Sequence, residues 1–183
     1  MKEGDKAAFD LLYEEYKKMA LHTAYLITGN LPDSEDVVQE TFVKVYLHCG
    51  ELKNDNGFKS WMMQILVHTA YKMCKKKNRE QPDEQVAEKA DTKPEPSSLE
   101  QVLKWEQEAE LAEAIKKLPI KQRTVIILFY YQDCSVSEIA KICNCMEGTV
   151  KSRLHTAKRN LRQIMQAQTE WSERGFYEKE ISI

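Results

Sequence analysis

The sequence is poor in residues that break helices, with only 6 glycines and 5 prolines among 183 residues. It lacks an apolar run of the about 18 residues that a membrane span needs, and residues 1–5 have none of the apolar character of a secretory signal. Five cysteines are too few for a disulfide scaffold, so we expect reduced thiols in a reducing compartment. These absences exclude membrane-embedded and disulfide-rich classes and predict an all-α, cytoplasmic protein.

Charge is distributed unevenly, although the formal net charge of the whole chain is only −2. Residues 81–114 carry a net charge of −7, whereas residues 115–168 carry +7. A basic block beside an acidic one predicts that different parts of the chain meet partners of different charge.

Residues 81–100 separate two parts of the sequence that have helical periodicity. This stretch contains three prolines, paired serines and several acidic residues, but few apolar groups that could offset the entropy of ordering. We therefore predict two small helical domains joined by a flexible acidic linker. The expected ranges are 1–80 for the first domain, 81–105 for the linker, 106–167 for the second domain and 168–183 for a C-terminal tail.

Three apolar-periodic segments precede the linker. In the first, apolar residues recur every three or four positions over residues 9–23, and residues 29–32 (GNLP) form a stop signal. In the second, Asp33 or Ser34 is expected to cap a helix. Its predicted buried stripe comprises Val38, Phe42, Val45 and Cys49. The third helix is expected to run over residues 58–73 and to end in a basic tail.

After the linker, residues 102–118 are typical of an acidic amphipathic helix that Pro119 ends. The apolar run at 121–131 fits either a short buried strand or a buried helix, because periodicity alone does not separate the two. The helical surroundings favour the helix. Ser135 or Ser137 is then expected to cap a short helix, and a longer helix is expected from about Glu147.

Residues 135–164 combine a short helix, a turn and a basic amphipathic helix, which is the order of a helix-turn-helix. At 100° per residue, one face of the second helix is apolar and comprises Val150, Leu154, Ala157, Leu161 and Ile164. The opposite face comprises Lys151, Ser152, His155, Thr156, Arg159 and Arg162. Such a face suits the major groove of DNA, and flanking Lys158 and Arg162 suit phosphates. A solvated basic helix face is the alternative, which the preceding helix and turn disfavour.

Several short motifs occur here in a specific order: residues 118–119 (LP), 122–123 (QR), 137–140 (SEIA), 148–155 (GTVKSRLH) and 157–158 (AK). This order resembles the sigma-4 domain of bacterial extracytoplasmic-function sigma factors. The resemblance implies that the domain binds the minus-thirty-five element of a promoter as a duplex and docks on the flap of the polymerase beta subunit. The base-reading residues would be Lys151, Ser152, His155 and Thr156, and the phosphate-binding residues would be Arg153, Lys158 and Arg159.

Residues 33–42 (DSEDVVQETF) are similar to the sigma-2 motif of the same family, which grips the clamp helices of the polymerase beta-prime subunit. Asp36, Gln39 and Glu40 share one helix face, so they can meet a basic helical partner together. Acidic residues also favour the first turn of any helix, which is the alternative explanation. Gln39 and Glu40 lie beyond that turn, and we expect all three residues to bind the polymerase.

The pattern Phe58, Trp61, Ile65 with a basic tail resembles the family helix that, with the loop before it, captures unpaired bases of the minus-ten element. Single-stranded nucleic acid binds to cationic tracks, aromatic faces and hydrogen-bonding groups. Trp61 is expected in the core because of its spacing, which leaves Tyr71 as the freer aromatic. The expected minus-ten residues are Asn54, Asp55, Asn56, Tyr71, Lys72 and Lys75.

The cysteines raise the question of a metal site, because Cys134, Cys143 and Cys145 lie close together in sequence. Zinc ligands prefer separations of two to four residues, whereas a single residue separates Cys143 from Cys145. No phosphate-binding loop, Ser-His-Asp order or HExxH motif occurs in the sequence. We therefore expect no metal, no cofactor and no enzymatic activity.

Together, these resemblances imply a sigma factor with a sigma-2 domain, an acidic linker and a sigma-4 domain. The resemblance implies that it binds core RNA polymerase and promoter DNA, both duplex and single-stranded, under the control of an anti-sigma factor and without inserting into a membrane. A conventional duplex-binding regulator would explain residues 135–164 but not the acidic face in residues 33–42. A zinc- or thiol-dependent enzyme would require metal in the purified protein.

Overall fold

Three antiparallel helices form the first unit of the protein. The computed structural model describes residues 6–51, 57–80 and 109–169. Helix α1 spans Lys6–Thr28, α2 spans Leu31–His48, a 3₁₀ turn spans Cys49–Glu51 and α3 spans Phe58–Glu80. The ring of Phe9 lies 6.4 Å from that of Phe42 and 5.0 Å from that of Tyr46, so the start of α1 packs on the end of α2. The predicted buried stripe of α2 is confirmed, and Trp61 packs against the core as expected.

The N-cap of α2 lies three or four residues earlier than the sequence predicts. Helix α1 ends before Gly29, which has a φ of 88° that suits glycine. Asn30 caps α2, because its side chain accepts a hydrogen bond of 3.0 Å from the backbone N–H of Asp33. Asp33 and Ser34, the expected caps, instead lie buried in the first turn. Pro32 is tolerated there because the first turn of a helix needs no backbone donor.

Four helices form the second unit, and their bounds are α4 at Ala109–Lys116, α5 at Ile120–Tyr130, α6 at Val136–Ile142 and α7 at Glu147–Thr169. The apolar run at 121–131 is therefore a helix, and five consecutive residues of α5 from Thr124 to Leu128 are buried. The predicted linker at 81–105 lies outside the described residues, as do residues 170–183 of the predicted tail at 168–183, whereas residues 168–169 belong to α7. Among the described helices, none combines the length and the apolar character of a membrane span.

Ser135 decides where α6 begins. Its hydroxyl accepts a hydrogen bond of 3.2 Å from the N–H of Glu138, and the Glu138 carboxylate accepts one of 2.8 Å from the N–H of Ser135. This reciprocal capping box resolves the choice between Ser135 and Ser137 in favour of Ser135. The hydrogen bonds from Ser135 lower the pKa of Glu138, so its carboxylate stays charged at the positive end of the helix.

The all-α prediction and the two helical units are confirmed, and the structure adds a direct interface between them. Helix α1 contacts α4 and α5, and α3 contacts α6. Buried apolar residues of both units form one continuous core. This contact was not predicted from the sequence, which indicated two separate helical domains joined by a flexible linker.

Polar groups cross the same interface. The buried side chain of Gln132 donates a hydrogen bond of 3.0 Å from Nε2 to Oγ1 of Thr23, and Nζ of Lys59 donates one of 3.4 Å to the Gln132 carbonyl. Nζ of Lys116 donates to the Tyr25 hydroxyl at 3.1 Å and lies 4.9 Å from the centre of that ring. Specific polar contacts therefore set the relative position of the units.

We predict that Ser135→Ala lowers the free energy of unfolding by about 1 kcal/mol, because α6 loses its N-terminal cap. Urea denaturation followed by circular dichroism measures this change. Ser137→Ala is the matched control, since Ser137 is exposed in the same turn and Ser135 provides the cap. Equal stability of the two variants would contradict the capping assignment.

Candidate nucleic-acid interface and partner surface

Helices α6 and α7 form a helix-turn-helix. The turn between them passes through Asn144, which has a φ of 48°, a conformation that asparagine tolerates well. Backbone hydrogen bonds from Cys143 to Ile139 and from Cys145 to Ala140 close the turn. Four residues of the predicted apolar face of α7 are buried: Val150, Leu154, Ala157 and Leu161. The opposite face of α7 therefore points away from the core.

Of the residues predicted to bind duplex DNA, Lys151, Ser152, His155, Thr156 and Arg159 lie together on that outer face, and Arg153 and Lys158 flank it. Lys151, Ser152, His155 and Arg159 are exposed, and Arg153, Thr156 and Lys158 are partly exposed. Helix α7 packs on α4, α5 and α6, which belong to its own unit. Contact between the two units thus leaves this face, which we call the recognition face, open to solvent.

Neighbouring side chains orient two cations beside the recognition face. Nη1 of Arg153 lies 3.7 Å from the Cys145 sulfur, and Nζ of Lys158 lies 5.6 Å from the centre of the Tyr130 ring. A cation above an aromatic face is held by the ring quadrupole. Arg153 and Lys158 are consequently more restricted than freely solvated side chains, which favours defined phosphate contacts over diffuse attraction.

Met146 is a residue of this region that the sequence analysis missed. Its side chain is 79% exposed in the turn immediately before α7. Apolar contacts to thymine methyl groups are part of direct readout, and a residue at the start of a recognition helix is placed for them. No helical periodicity points to Met146, because it precedes the helix.

A second candidate surface follows the outer side of α2. Asp36 and Gln39 are exposed, and Glu40 is partly exposed. Glu40 forms an ion pair of 2.7 Å with Lys44, whose Nζ also donates to Oγ1 of Thr69 at 3.0 Å. Glu40 is therefore oriented along α2 and partly neutralised, while Asp36 and Gln39 remain available to a partner.

Apolar residues continue the same face toward the end of α2. Val43 is 51% exposed and Leu47 is 63% exposed, and both lie within about 20° of Asp36 around the helix axis at 100° per residue. A face that begins acidic and ends apolar suits a partner helix with both basic and apolar residues. The sequence motif pointed to the charged residues of this face but not to Val43 and Leu47.

Only some of the residues predicted to bind single-stranded DNA lie within the described residues. Lys72 and Lys75 are exposed on α3, whereas Asn54, Asp55 and Asn56 lie outside the described residues. Lys77, farther along α3, forms an ion pair of 2.6 Å with the buried Asp33 and ties the end of α3 to the start of α2. Of the cations on α3, Lys77 thus stabilises the fold, whereas Lys72 and Lys75 are exposed and can meet a ligand.

Tyr71, expected to be the freer aromatic, is partly covered by the second unit. Its hydroxyl is buried beside the Cys143 thiol and the Thr124 hydroxyl, both across the interface. Burial, together with the nearby thiol, raises the pKa of Tyr71 well above its usual value. In this arrangement the hydroxyl end of Tyr71 faces protein, so Tyr71 is less free than expected.

The cysteines of the described residues are free thiols. Burial, with a contribution from Cys145, raises the pKa of Cys143 to about 11, and burial also raises the pKa of Cys134 and of Cys74. Protonated thiols are weak nucleophiles and weak metal ligands. Within the described ranges, no group of three His, Cys, Asp or Glu side chains is placed to hold a metal ion.

Both units of the chain are similar to known proteins. The model of the family described as Sigma-70 region 2 matches residues 12–80, and that of Sigma-70 region 4 matches residues 108–161. The chain is 30% identical to the RNA polymerase sigma-H factor of Pseudomonas aeruginosa over 91% of its length and 90% of that protein. It is 31% identical to the ECF RNA polymerase sigma factor SigW of Bacillus subtilis over 88% of its length and 91% of that protein.

Solved structures share the fold. The sigma factor RpoE, solved with the anti-sigma factor NepR from Bartonella quintana, superposes with a TM-score of 0.67 at 22% identity, covering 91% of this chain and 99% of that one. CnrH, solved with the cytosolic domain of CnrY, superposes with a TM-score of 0.64 at 21% identity, covering 90% of this chain and 91% of that one. The helical arrangement is therefore one that occurs in experimentally determined proteins.

Proposed function

The chain belongs to the extracytoplasmic-function sigma factors of the sigma-70 family. From that premise we propose which of its surfaces bind promoter DNA and which binds the polymerase. A sigma factor binds core RNA polymerase and directs it to promoters, and the polymerase makes the RNA. This chain accordingly supplies contacts and no bond-forming chemistry of its own. Its place of action is the bacterial chromosome, in the cytoplasm.

The recognition face of α7 binds the minus-thirty-five element as duplex DNA. The observation that carries this assignment is the exposure of Lys151, Ser152 and His155 on one face while the opposite face is buried. Short polar and cationic side chains near the start of a recognition helix reach base edges in the major groove. Lys158 and Arg159 lie farther along the helix, where they meet the phosphate backbone.

The outer side of α2 binds the polymerase. Asp36 and Gln39 provide the acidic and hydrogen-bonding part, Glu40 is shared with Lys44, and Val43 and Leu47 extend the contact with apolar area. The first unit, residues 1–80, thereby acts as the sigma-2 domain, and residues 106–167 act as the sigma-4 domain. The family matches at 12–80 and 108–161 support these ranges.

We also propose that an anti-sigma factor controls this chain. The structures of RpoE and CnrH were solved as complexes, the first with a protein named as an anti-sigma factor and the second with the cytosolic domain of CnrY. A partner of this kind would hold the chain away from the polymerase until a signal releases it.

Transcription reconstituted from purified parts tests the function as a whole. We expect core RNA polymerase with this chain to start transcripts at discrete sites on fragmented genomic DNA of the same organism. Sequencing of the transcript 5′ ends should show two shared upstream elements. Start sites identical to those of core polymerase alone would contradict the assignment.

We predict that the triple change of Asp36, Gln39 and Glu40 to Ala weakens binding to core RNA polymerase by about tenfold, because the three truncations together should remove about 1.4 kcal/mol of contact energy. Pull-down titration measures the affinity, and circular dichroism checks the fold. The matched control is Glu35→Ala, an exposed acidic residue about 100° around α2 from Asp36. An affinity that the triple change leaves at the control value would refute the docking face.

We predict that Lys151→Ala and His155→Ala change base preference at individual positions by about 1–3 kcal/mol, because base-edge contacts are sequence-specific. Lys158→Ala and Arg162→Ala should instead weaken binding to all sequences and reduce the salt slope by about 1. Binding to a randomised duplex library, followed by sequencing at several salt concentrations, separates the two effects. Uniform losses from all four changes would mean that the face is assigned wrongly.

A further inference from the structure

We infer that Met146 and Gly148 form a thymine-reading site at the start of α7. In this site the Met146 side chain contacts the C5-methyl group of one thymine in the minus-thirty-five element, and the missing side chain of Gly148 lets that base pair come close. The inference rests on the proposed function, because it extends the duplex contact of the recognition face to the turn before α7.

Met146 occupies the N-cap position of α7. Its backbone carbonyl accepts hydrogen bonds from the N–H of Thr149 at 2.9 Å and from that of Val150 at 3.2 Å. Serine, threonine, aspartate and asparagine are favoured at an N-cap, because their side-chain oxygen accepts a hydrogen bond from the first turn. Methionine has no such oxygen. Helix formation therefore gains nothing from this residue, and a departure from local preference of this kind is typical of a functional position.

The side chain of Met146 is also unused by the core. It is 79% exposed, more than any other large apolar side chain in the described part of the chain. It borders an open groove between α6 and the start of α7, to which Ala140 and Cys145 contribute apolar atoms. A flexible, polarisable thioether adapts well to a small apolar group. The groove edge can therefore enclose a methyl group on an approaching base.

Gly148 leaves open space in the first turn of α7. It is exposed, and a Cβ built on it meets no atom within 4 Å among the described residues, apart from its own helix turn and chain neighbours. It is not one of the residues with a positive φ, so its backbone conformation does not require glycine. Glycine is less favourable than alanine in a helix. Because neither packing nor conformation demands glycine here, the position suits close approach by an external group.

The charges at this end of α7 favour a base edge over a phosphate. Glu147, between Met146 and Gly148, is exposed and acidic, and a carboxylate repels the phosphate backbone. The C5-methyl group of thymine is the apolar feature that the major groove presents. Lys151 and Ser152, one turn farther along α7, reach the neighbouring bases. The site therefore takes a thymine at the edge of the sequence that the recognition face reads.

Replacement of thymine by deoxyuridine tests the contact, because the two bases differ only in the C5-methyl group. The probe is a duplex that the unmodified full-length chain, alone or with core RNA polymerase, selects from a randomised library. Each thymine of the selected element is replaced in turn. We expect the affinity to fall about fourfold at one thymine at the edge of the element, since one buried methyl group contributes about 0.8 kcal/mol.

Met146→Ala should remove that penalty, so that thymine and deoxyuridine at this position are bound equally well. Penalties at other thymines should stay as they are in the unmodified chain. Leu11→Ala is the matched control, because Leu11 is 74% exposed on α1 and its truncation should leave every penalty unchanged. Circular dichroism checks that both variants fold.

Gly148→Ala should change stability and affinity in opposite directions. The urea midpoint should rise, because alanine favours the helix and its methyl group meets no described neighbour. The affinity for the selected duplex should fall about tenfold, because the added methyl group occupies the space of the base pair. Gly57→Ala is the matched control, since a Cβ on Gly57, just before α3, also has nothing within 4 Å. It should leave duplex affinity unchanged.

A selected element without thymine would overturn the inference, and so would thymines that all tolerate deoxyuridine or a penalty that persists in Met146→Ala. Equal affinities of Gly148→Ala and Gly57→Ala would overturn the role of Gly148. These outcomes leave the proposed function standing. Failure of the unmodified chain to enrich any sequence, alone or with core RNA polymerase, would contradict the proposed function and this inference with it.

Discussion

One guanidinium group joins the ends of two helices that belong to different units. Arg123 lies between the carbonyl end of α1 and the carbonyl end of α4, where helix dipoles favour positive charge. Burial lowers the pKa of Arg123, and the nearby Cys74 thiol opposes that shift, yet arginine remains charged in proteins. A Cβ placed on Gly29, at the end of α1, would lie 3.7 Å from Nη1, which is an ordinary van der Waals contact, so the φ of 88° is what favours glycine there. Arg123 therefore joins the two units through backbone carbonyls of both.

The interface divides the functional surfaces into those that it covers and those that it leaves open. The outer side of α2 and the recognition face of α7 point away from the contact, whereas Tyr71 points into it. A partner can therefore reach both of these surfaces while the two units are in contact.

Much of the local structure could be predicted from the sequence, and the interface could not. Helical periodicity identified the buried stripe of α2 and both faces of α7, because each of these patterns lies within a single helix. Gln132 and Thr23 are 109 residues apart and carry no periodic signature of their contact. Arg123 was visible as part of a family motif, but its partners are backbone carbonyls, which side-chain patterns do not reveal. Tyr71 lies off the apolar stripe of its own helix, and no pattern within that helix shows that another unit covers it.

The covered edge of Tyr71 also bears on its access to nucleic acid. Aromatic rings stack on unpaired bases with little regard to sequence, so a fully exposed ring beside Lys72 and Lys75 would be open to any single-stranded nucleic acid. With its hydroxyl end packed beside Cys143, Tyr71 presents less of its ring to solvent than it would on an isolated α3.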